Sequence, residues 1–178
     1  THRELASGLS MPVGFKNGTS GDVDIAIDAV MAAKCPHCFF SITKYGTAAI
    51  VHSKGNSSTH VVLRGGKSGP NFDERSITDC LGKLGRKGFS QGVMVDCSHG
   101  NSMKNHRNQP KVLREIGNML RRGVKICGVM WESNLFEGRQ DLPSWEALRA
   151  AGVSSGEPVD ALERSGAESP VIKAGLLR

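Results

Sequence analysis

Two apolar runs, VMVDCSHGNS at residues 93–102 and GVMWES at residues 128–133, decide the fold of this chain. Each run begins with hydrophobic residues typical of a strand and leads to a potential metal ligand, His99 in the first and Glu132 in the second. Strands of a parallel sheet are buried on both faces and are therefore continuously hydrophobic, while the polar residues at their C-terminal ends meet at one edge. The two runs predict parallel strands that bring His99 and Glu132 to one opening.

Two further runs have the same form and end in cations. PVGFKNG at residues 12–18 contains Lys16, and HVVLRGGK at residues 60–67 contains Arg64. A single residue of any of these types is usually a surface charge or a structural hydrogen-bonding group. Four of them at the C-terminal ends of four consecutive strands instead predict a site at the mouth of an α/β barrel.

Hydrophobic spacing also predicts the elements between these strands, with an inserted β-hairpin after the first helix. After Gln140 the chain is rich in Ala, Gly, Ser, Glu and Pro, and its apolar residues have no sustained period. We therefore expect a domain over residues 1–142 and a poorly ordered tail over 143–178, with a helix around 145–150 as its one regular element. The expected strands are 12–16, 60–65, 91–96 and 124–131, the helices are about 20–34, 73–86 and 110–121, and the hairpin strands are 39–43 and 48–51.

Composition excludes several classes of protein. The 178 residues are 38% hydrophobic, which is enough for one core, and no apolar run approaches the roughly 18 to 20 residues that span a bilayer. The net charge of +6 is dispersed along the chain and aromatic residues make up only 5%, so no nucleic-acid partner is expected. Small anionic substrates account for the basic balance equally well, and a cytoplasmic location is expected.

The five cysteines are not expected to form a disulfide framework, because their number is odd and their positions are dispersed. Cys35 and Cys38 form a CxxC motif that suggests a thiol oxidoreductase. In such enzymes, however, the motif opens a helix whose N-terminus stabilises the thiolate, whereas here a predicted helix ends before Cys35 and a strand follows Cys38. The order of elements therefore argues against redox chemistry.

Five segments, in the same order, closely resemble the type I 3-deoxy-D-arabino-heptulosonate 7-phosphate (DAHP) synthases. The resemblance runs from residue 1 to about 142 and implies a (β/α)8 TIM barrel, of which this chain contains the second half, strands five to eight. Those enzymes condense phosphoenolpyruvate with erythrose 4-phosphate at the start of the shikimate pathway, and a homo-oligomer is implied for the full-length form. The segments are HRELASGLS (2–10), PVGFKNGT (12–19), LRGG (63–66), DCSHGNS (96–102) and GVMWES (128–133).

The resemblance assigns roles to the four residues of the mouth. Lys16 matches a catalytic lysine that contacts phosphoenolpyruvate, and Arg64 matches an arginine on its phosphate. His99 and Glu132 match two ligands of a divalent metal, which could be manganese, iron, cobalt or zinc. These roles suit the residue types, since a guanidinium grips phosphate with two hydrogen bonds and an ammonium acts as a point charge.

The hairpin matches an insertion that holds the feedback site for an aromatic amino acid in this family. The matching positions are Leu9, Ser10, Phe39, Ser41 and Val51. The alternative is that Phe39 and Val51 only pack the hairpin against the barrel.

Two expected metal ligands have no match in this sequence, namely a cysteine on the first barrel strand and an aspartate after the last. Because the chain opens on Thr1, we expect an upstream part to be missing, and the unmatched tail to come from a frameshift, a retained intron or an alternative exon. The isolated chain is expected to be inactive, with open sheet edges at its first and last barrel strands. The alternative function is that of a catalytically dead regulatory or assembly partner of the full-length enzyme.

Overall fold

The fold is built on a five-stranded sheet with the spatial order β1-β4-β5-β6-β7. A computed structural model describes residues 2–133 and 171–176. Strands β1, β4, β5 and β6 are parallel to one another, and β7 pairs antiparallel with β6. The strands are β1 (Val13–Lys16), β2 (Cys38–Ile42), β3 (Ala48–His52), β4 (Thr59–Leu63), β5 (Val93–Asp96), β6 (Ile126–Ser133) and β7 (Val171–Leu176).

Helices alternate with the parallel strands, as the sequence predicted. The helices are α1 (His2–Ser7), α2 (Asp24–Lys34), α3 (Glu74–Arg86) and α4 (Gln109–Arg121), with a 3-10 turn at His106–Asn108. The predicted strands and helices within residues 2–133 are confirmed to within a few residues at their ends. Helix α1 was not predicted, and the strand-helix alternation is that of part of a (β/α) barrel.

The hydrophobic core lies between the sheet and its covering helices. Alternate residues of β4 and β5, namely Val61, Leu63, Val93 and Val95, are almost completely buried in one cluster with helix side chains such as Ile116. Burial of each such side chain stabilises the fold by about 1.5–3 kcal/mol. The cluster therefore fixes the positions of the strands whose C-terminal ends form the mouth.

One expectation for the half-barrel, an open sheet edge at its last barrel strand, is wrong. The edge of β6 is not unpaired, because β7 forms a six-residue register with Gly128–Ser133. Val62 and Met94, which alternate with the core residues and point to the other face of the sheet, are also buried, at 1% and 4% exposure. Strand β7 lies in the 143–178 segment, for which no strand was predicted. The predicted helix at 145–150 lies outside the described residues, and the domain boundary at 142 stays a prediction.

The predicted hairpin is confirmed as the antiparallel pair β2–β3, with Phe39 opposite Val51 and Ser41 opposite Ala49. Burial alternates along both strands. Phe39, Ser41 and Val51 are half-buried, whereas Phe40 and Ile50 on the other face are exposed. The hairpin therefore has an inner face that contains the three predicted feedback residues on its strands.

The end of β4 packs directly against the loop that follows β5. Gly65 has a positive φ of 72°, and a Cβ atom placed on it would lie 2.5 Å from the carbonyl carbon of Gly100. No side chain can occupy that space without moving the backbone. Glycine at this position is what allows the loops carrying Arg64 and His99 to approach each other.

We expect Gly65→Ala to destabilise the protein much more than Gly88→Ala, measured by urea unfolding. Gly88 has a similar φ of 78° but no atom within 4 Å of its would-be Cβ, so it provides a matched control. Both changes incur the left-handed backbone penalty of about 1–2 kcal/mol. Gly65→Ala should add about 1–3 kcal/mol of steric strain. Equal losses for the two variants would contradict the close packing.

Candidate metal and anion site

The C-terminal edge of the parallel sheet brings charged residues from three strands together. Lys16 is the last residue of β1, Asp96 is the last residue of β5, and Glu132 lies near the end of β6. His99 lies in the loop three residues after Asp96. Parallel strands end at the same side of a sheet, so their order alone places these residues at one mouth.

Asp96 is the centre of this cluster. Its side chain is fully buried, and Oδ2 accepts hydrogen bonds from Lys16 Nζ at 2.6 Å and from His99 Nδ1 at 3.0 Å. Oδ1 accepts from the Ser98 backbone N–H at 2.9 Å. Burial by itself would raise the pKa of the Asp96 carboxyl, but the hydrogen bonds from His99, Lys16 and Ser98 outweigh it and hold that pKa well below its ordinary value.

His99 and Glu132 face each other across the mouth. His99 Nε2 lies 3.6 Å from Glu132 Oε1, and their side chains are 32% and 16% exposed. Ligand bonds to zinc are about 2.0–2.2 Å long, so two donors on one tetrahedral ion lie about 3.3–3.6 Å apart. The observed separation therefore fits the two atoms as ligands of the same ion. No cluster of three or more His, Cys, Asp or Glu ligands is found among the described residues.

Gln109, the first residue of α4, holds the backbone of Glu132 in place. Its Nε2 donates to the Glu132 carbonyl, and its Oε1 accepts from the Glu132 N–H, both at 3.2 Å. Gln109 is buried, at 1% exposure. The amide therefore acts as a clamp between α4 and the end of β6, and it fixes the point from which the Glu132 side chain extends.

Arg64 has the features expected of an anion ligand. It follows β4 directly, its Nε is buried, and that atom has no hydrogen-bond partner within the described part of the chain. A buried N–H without an acceptor costs free energy, which an anionic oxygen would recover. The Arg64 carbonyl accepts from the Gly100 N–H at 3.0 Å, so the arginine is connected to the loop that carries His99.

Three asparagines connect the ends of the strands beneath these charges. Asn17 Oδ1 accepts from the Arg64 N–H at 2.8 Å and from Asn71 Nδ2 at 3.2 Å. Asn101 Nδ2 donates to the carbonyls of Leu63 at 3.0 Å and Asp96 at 2.8 Å, which joins β4 to β5. The network satisfies backbone groups where the sheet ladders end, and it makes the mouth rigid.

The structure brings the predicted mouth residues into one region, although not all of them are in contact. Lys16 and His99 share Asp96, and His99 faces Glu132. Arg64 is connected to them through the loop backbone. Sequence reasoning missed Asp96, Gln109 and the asparagines. A carboxylate ending the apolar run Val93–Val95 was the available signal for Asp96, whereas no local signal distinguishes Gln109.

The predicted feedback residues lie on the hairpin and next to α1. A Cβ atom placed on Gly8 would lie 3.6 Å from Phe39 Cζ, so the inner face of the hairpin lies near Gly8, the residue before Leu9 and Ser10. The hydroxyls of Ser7 and Ser53 are 2.6 Å apart and join α1 to the end of β3. Leu9 and Ser10 are exposed.

The CxxC motif follows a helix and precedes a strand, which is the order of elements that argues against redox chemistry. Helix α2 ends at Lys34, and Cys38 begins β2. All five cysteines are free thiols. Burial raises the pKa of the Cys80 thiol to about 11 and also raises the pKa values of Cys97 and Cys127, so these three thiols are poor nucleophiles at neutral pH.

A parallel α/β sheet with an arginine, a lysine, a histidine and a glutamate at its C-terminal edge has the strand-helix alternation of part of a (β/α) barrel. The family model of the DAHP synthetase I family matches residues 1–158. This chain belongs to that family. The match extends beyond the boundary at residue 142 that the sequence predicted.

Curated relatives and a solved structure agree with this assignment. A putative phospho-2-dehydro-3-deoxyheptonate aldolase of Schizosaccharomyces pombe is 54% identical over 143 residues, covering 80% of this chain and 39% of that protein. The phenylalanine-inhibited aldolase of Saccharomyces cerevisiae is 52% identical over 147 residues, covering 80% and 40%. The solved phospho-2-dehydro-3-deoxyheptonate aldolase of Francisella tularensis is 41% identical, with a TM-score of 0.75, covering 87% and 52%.

The chain thus spans about two fifths of the length of these curated relatives. Within the part that the structure describes, none of the helices is long and apolar enough to span a membrane.

We expect Gln109→Leu to loosen the end of β6, because the Glu132 N–H and carbonyl would both lose a partner. The change should cost about 1–3 kcal/mol in unfolding free energy and accelerate hydrogen exchange of the Glu132 amide. Gln91→Leu is the control, since Gln91 is exposed and its amide donates to Ser57 away from the mouth. Unchanged exchange at Glu132 in Gln109→Leu would contradict the clamp.

Proposed function

We propose that the mouth of this half-barrel binds phosphoenolpyruvate and a divalent metal, as part of a DAHP synthase site. The observation that carries the proposal is the buried Asp96, which holds Lys16 and His99 while His99 Nε2 faces Glu132 at 3.6 Å. Independent surface charges would not share one buried carboxylate. The family assignment supports the same chemistry.

Lys16 and Arg64 are proposed to bind phosphoenolpyruvate. The unpartnered Arg64 Nε offers a hydrogen-bond donor to a phosphate oxygen, and the Lys16 side chain is 32% exposed while its ammonium is anchored by Asp96. Arg64 contributes the positive charge toward the phosphate, because Asp96 already balances the charge of Lys16. This division gives Arg64 the phosphate and Lys16 a position near the reacting part of the substrate.

His99 and Glu132 are proposed to hold the metal, which is manganese, iron, cobalt or zinc. When bound, the ion would polarise the aldehyde oxygen of erythrose 4-phosphate. In the overall reaction the enol carbon of phosphoenolpyruvate forms a bond to the aldehyde carbon, water adds to the neighbouring carbon, and inorganic phosphate leaves. Lys16 is the group of this chain placed to move a proton during that exchange.

We propose that the isolated chain does not turn over. Within the described residues, His99 and Glu132 are the only pair assigned to the metal, whereas catalytic metal sites ordinarily have three protein ligands. The alternative is a catalytically dead regulatory or assembly partner of a full-length enzyme. To distinguish an inactive fragment from a regulatory partner, this chain is mixed with full-length enzyme and the turnover is compared with that of the enzyme alone. Only a regulatory partner would change the turnover of the full-length enzyme.

Two further properties are proposed from the outer face of the hairpin and from the cysteines. Exposed Phe40, Ile42 and Ile50 on the outer face of the hairpin support homo-oligomer formation, since such apolar patches mark interfaces. Five free thiols support a reducing, cytoplasmic location.

Binding measurements on the protein and its variants test the proposed mouth. His99→Ala and Glu132→Ala should each weaken Mn²⁺ binding by roughly tenfold or more, because each removes a donor that the ion requires. Arg64→Ala should weaken phosphoenolpyruvate binding by about 1.5–3 kcal/mol and leave Mn²⁺ binding intact, because it loses a charge-assisted hydrogen bond. Calorimetry and Mn²⁺ spin resonance give the two affinities.

Arg86→Ala, at the exposed end of α3, is the matched control for Arg64 and should change neither affinity. Mn²⁺ affinity that is unaltered in both ligand variants would contradict the metal assignment. A phosphate-release assay with both substrates should show no turnover by the isolated chain. A rate of about 1 per second, typical of enzymes, would contradict its inactivity.

The inner face of the hairpin is proposed to bind an aromatic amino acid. Related proteins are named phenylalanine-inhibited in Saccharomyces cerevisiae and Tyr-sensitive in Escherichia coli. Phe39 and Val51 form a half-buried cross-strand pair, and the Phe39 ring lies near Gly8, the residue before Leu9 and Ser10. Such a ligand can inhibit a full-length enzyme only by binding its less active state more tightly.

Ser41→Phe should weaken binding of phenylalanine and tyrosine by about tenfold, because the added ring fills the half-buried face. Ser10→Phe should act in the same direction from the facing segment. Ile42→Phe is the matched control, since Ile42 neighbours Ser41 but is 69% exposed on the outer face. Calorimetry measures the affinities. Equal affinities for Ser41→Phe and Ile42→Phe would contradict the location of the site.

A further inference from the structure

One carboxylate supports two residues that have different roles in the proposed function. Asp96 Oδ2 accepts hydrogen bonds from Lys16 Nζ at 2.6 Å and from His99 Nδ1 at 3.0 Å. Its other oxygen accepts from the N–H and hydroxyl of Ser98. The side chain is inaccessible to solvent, so substrate or metal cannot contact it directly without a rearrangement of the loop. Asp96 can therefore act on the chemistry only through its neighbours.

The contact between Asp96 and His99 sets which ring nitrogen is available to a metal. A carboxylate accepts hydrogen bonds and cannot donate, so His99 Nδ1 must carry a proton to bond to it. The Ser98 hydroxyl, 2.9 Å from Nδ1, donates to Asp96, so its oxygen can accept from the same ring N–H. A neutral ring then has its lone pair on Nε2, the nitrogen that faces Glu132 Oε1.

The backbone conformation of His99 shows that surrounding groups hold the residue in this arrangement. His99 has a positive φ of 55°, a conformation that residues other than glycine rarely adopt. The ring bonds to Asp96 and Ser98, and the backbone bonds of the following loop to the Arg64 carbonyl, keep the residue there. A strained residue maintained by its surroundings is typical of a functional position.

We infer that Asp96 is a positioning residue that holds His99 with Nε2 directed at the metal and, through Lys16, ties the metal ligand to the phosphoenolpyruvate lysine. This inference rests on the proposed function, because it assigns the metal to His99 and Glu132. Lys16 balances the charge of the buried carboxylate and thereby keeps it in place as an acceptor for His99. Partners of this kind orient metal-bound histidines, and their loss typically weakens metal binding by 10–100-fold.

Zn²⁺ affinity of the protein tests the inference, measured by competition with a chromophoric chelator. Asp96→Asn should weaken Zn²⁺ binding by about 10–100-fold, because the amide can hold the ring in either orientation. Asp73→Asn is the matched control: Asp73 caps α3 through Ser76, contacts none of the mouth residues, and should leave the Zn²⁺ affinity unchanged. Zn²⁺ binding that requires His99 but is equal in wild type and Asp96→Asn would overturn the role of Asp96 alone.

A second measurement does not depend on the folding of Asp96→Asn, because it uses the wild-type protein with Zn²⁺ bound. Nuclear magnetic resonance of protein with ¹⁵N-labelled histidine should show Nδ1 of His99 protonated and Nε2 coordinated, with the signal identified by its absence in His99→Gln. Coordination through Nδ1 would overturn the inference. Zn²⁺ binding that is unchanged by His99→Gln would instead overturn the proposed metal site, and with it the role of Asp96.

Discussion

The buried charge of Asp96 is the constraint on which the mouth depends. Removing a carboxylate from water costs several kcal/mol unless charges and hydrogen-bond donors surround it. Here Lys16, His99 and Ser98 supply those groups, and together they hold the pKa of Asp96 well below its ordinary value. The carboxylate thus stays ionised, and its partners are fixed in the orientation that satisfies it. The geometry of Lys16 and His99 follows from this requirement.

Uncharged residues hold the backbone segments that carry the charged cluster. Asn17 and Asn101 bond to backbone groups at the ends of neighbouring strands, and the close contact of Gly65 with Gly100 brings the two loops together. Gln109, at the start of α4, likewise bonds to the backbone N–H and carbonyl of Glu132. Arg64 and Glu132 are therefore each held, through their backbones, by a side chain that is not proposed to take part in the chemistry. Such support would hold the proposed ligands His99 and Glu132 with the accuracy that a metal requires.

The sequence predicted the strands and helices better than the side-chain contacts between them. Strands β4, β5 and β6 were recognisable because strands buried on both faces are continuously apolar, a property of local sequence. Helix α1 has only six residues, and β7 lies in a segment without sustained periodicity, so neither gave a signal. Asp96 was missed as a centre because its partner Lys16 is 80 residues away, and only the crossovers of the barrel bring the two together. The feedback residues and the roles at the mouth stay predictions.

The central claim is that His99 Nε2 and Glu132 bind one metal ion while Asp96 holds the other nitrogen of the histidine. A crystal structure of the protein with Zn²⁺, with the ion located by its anomalous scattering, tests this most directly. The account predicts an ion about 2.0–2.2 Å from both His99 Nε2 and a Glu132 oxygen, with Asp96 still bonded to His99 Nδ1. A zinc ion bound elsewhere in the protein, with none at the mouth, would contradict it.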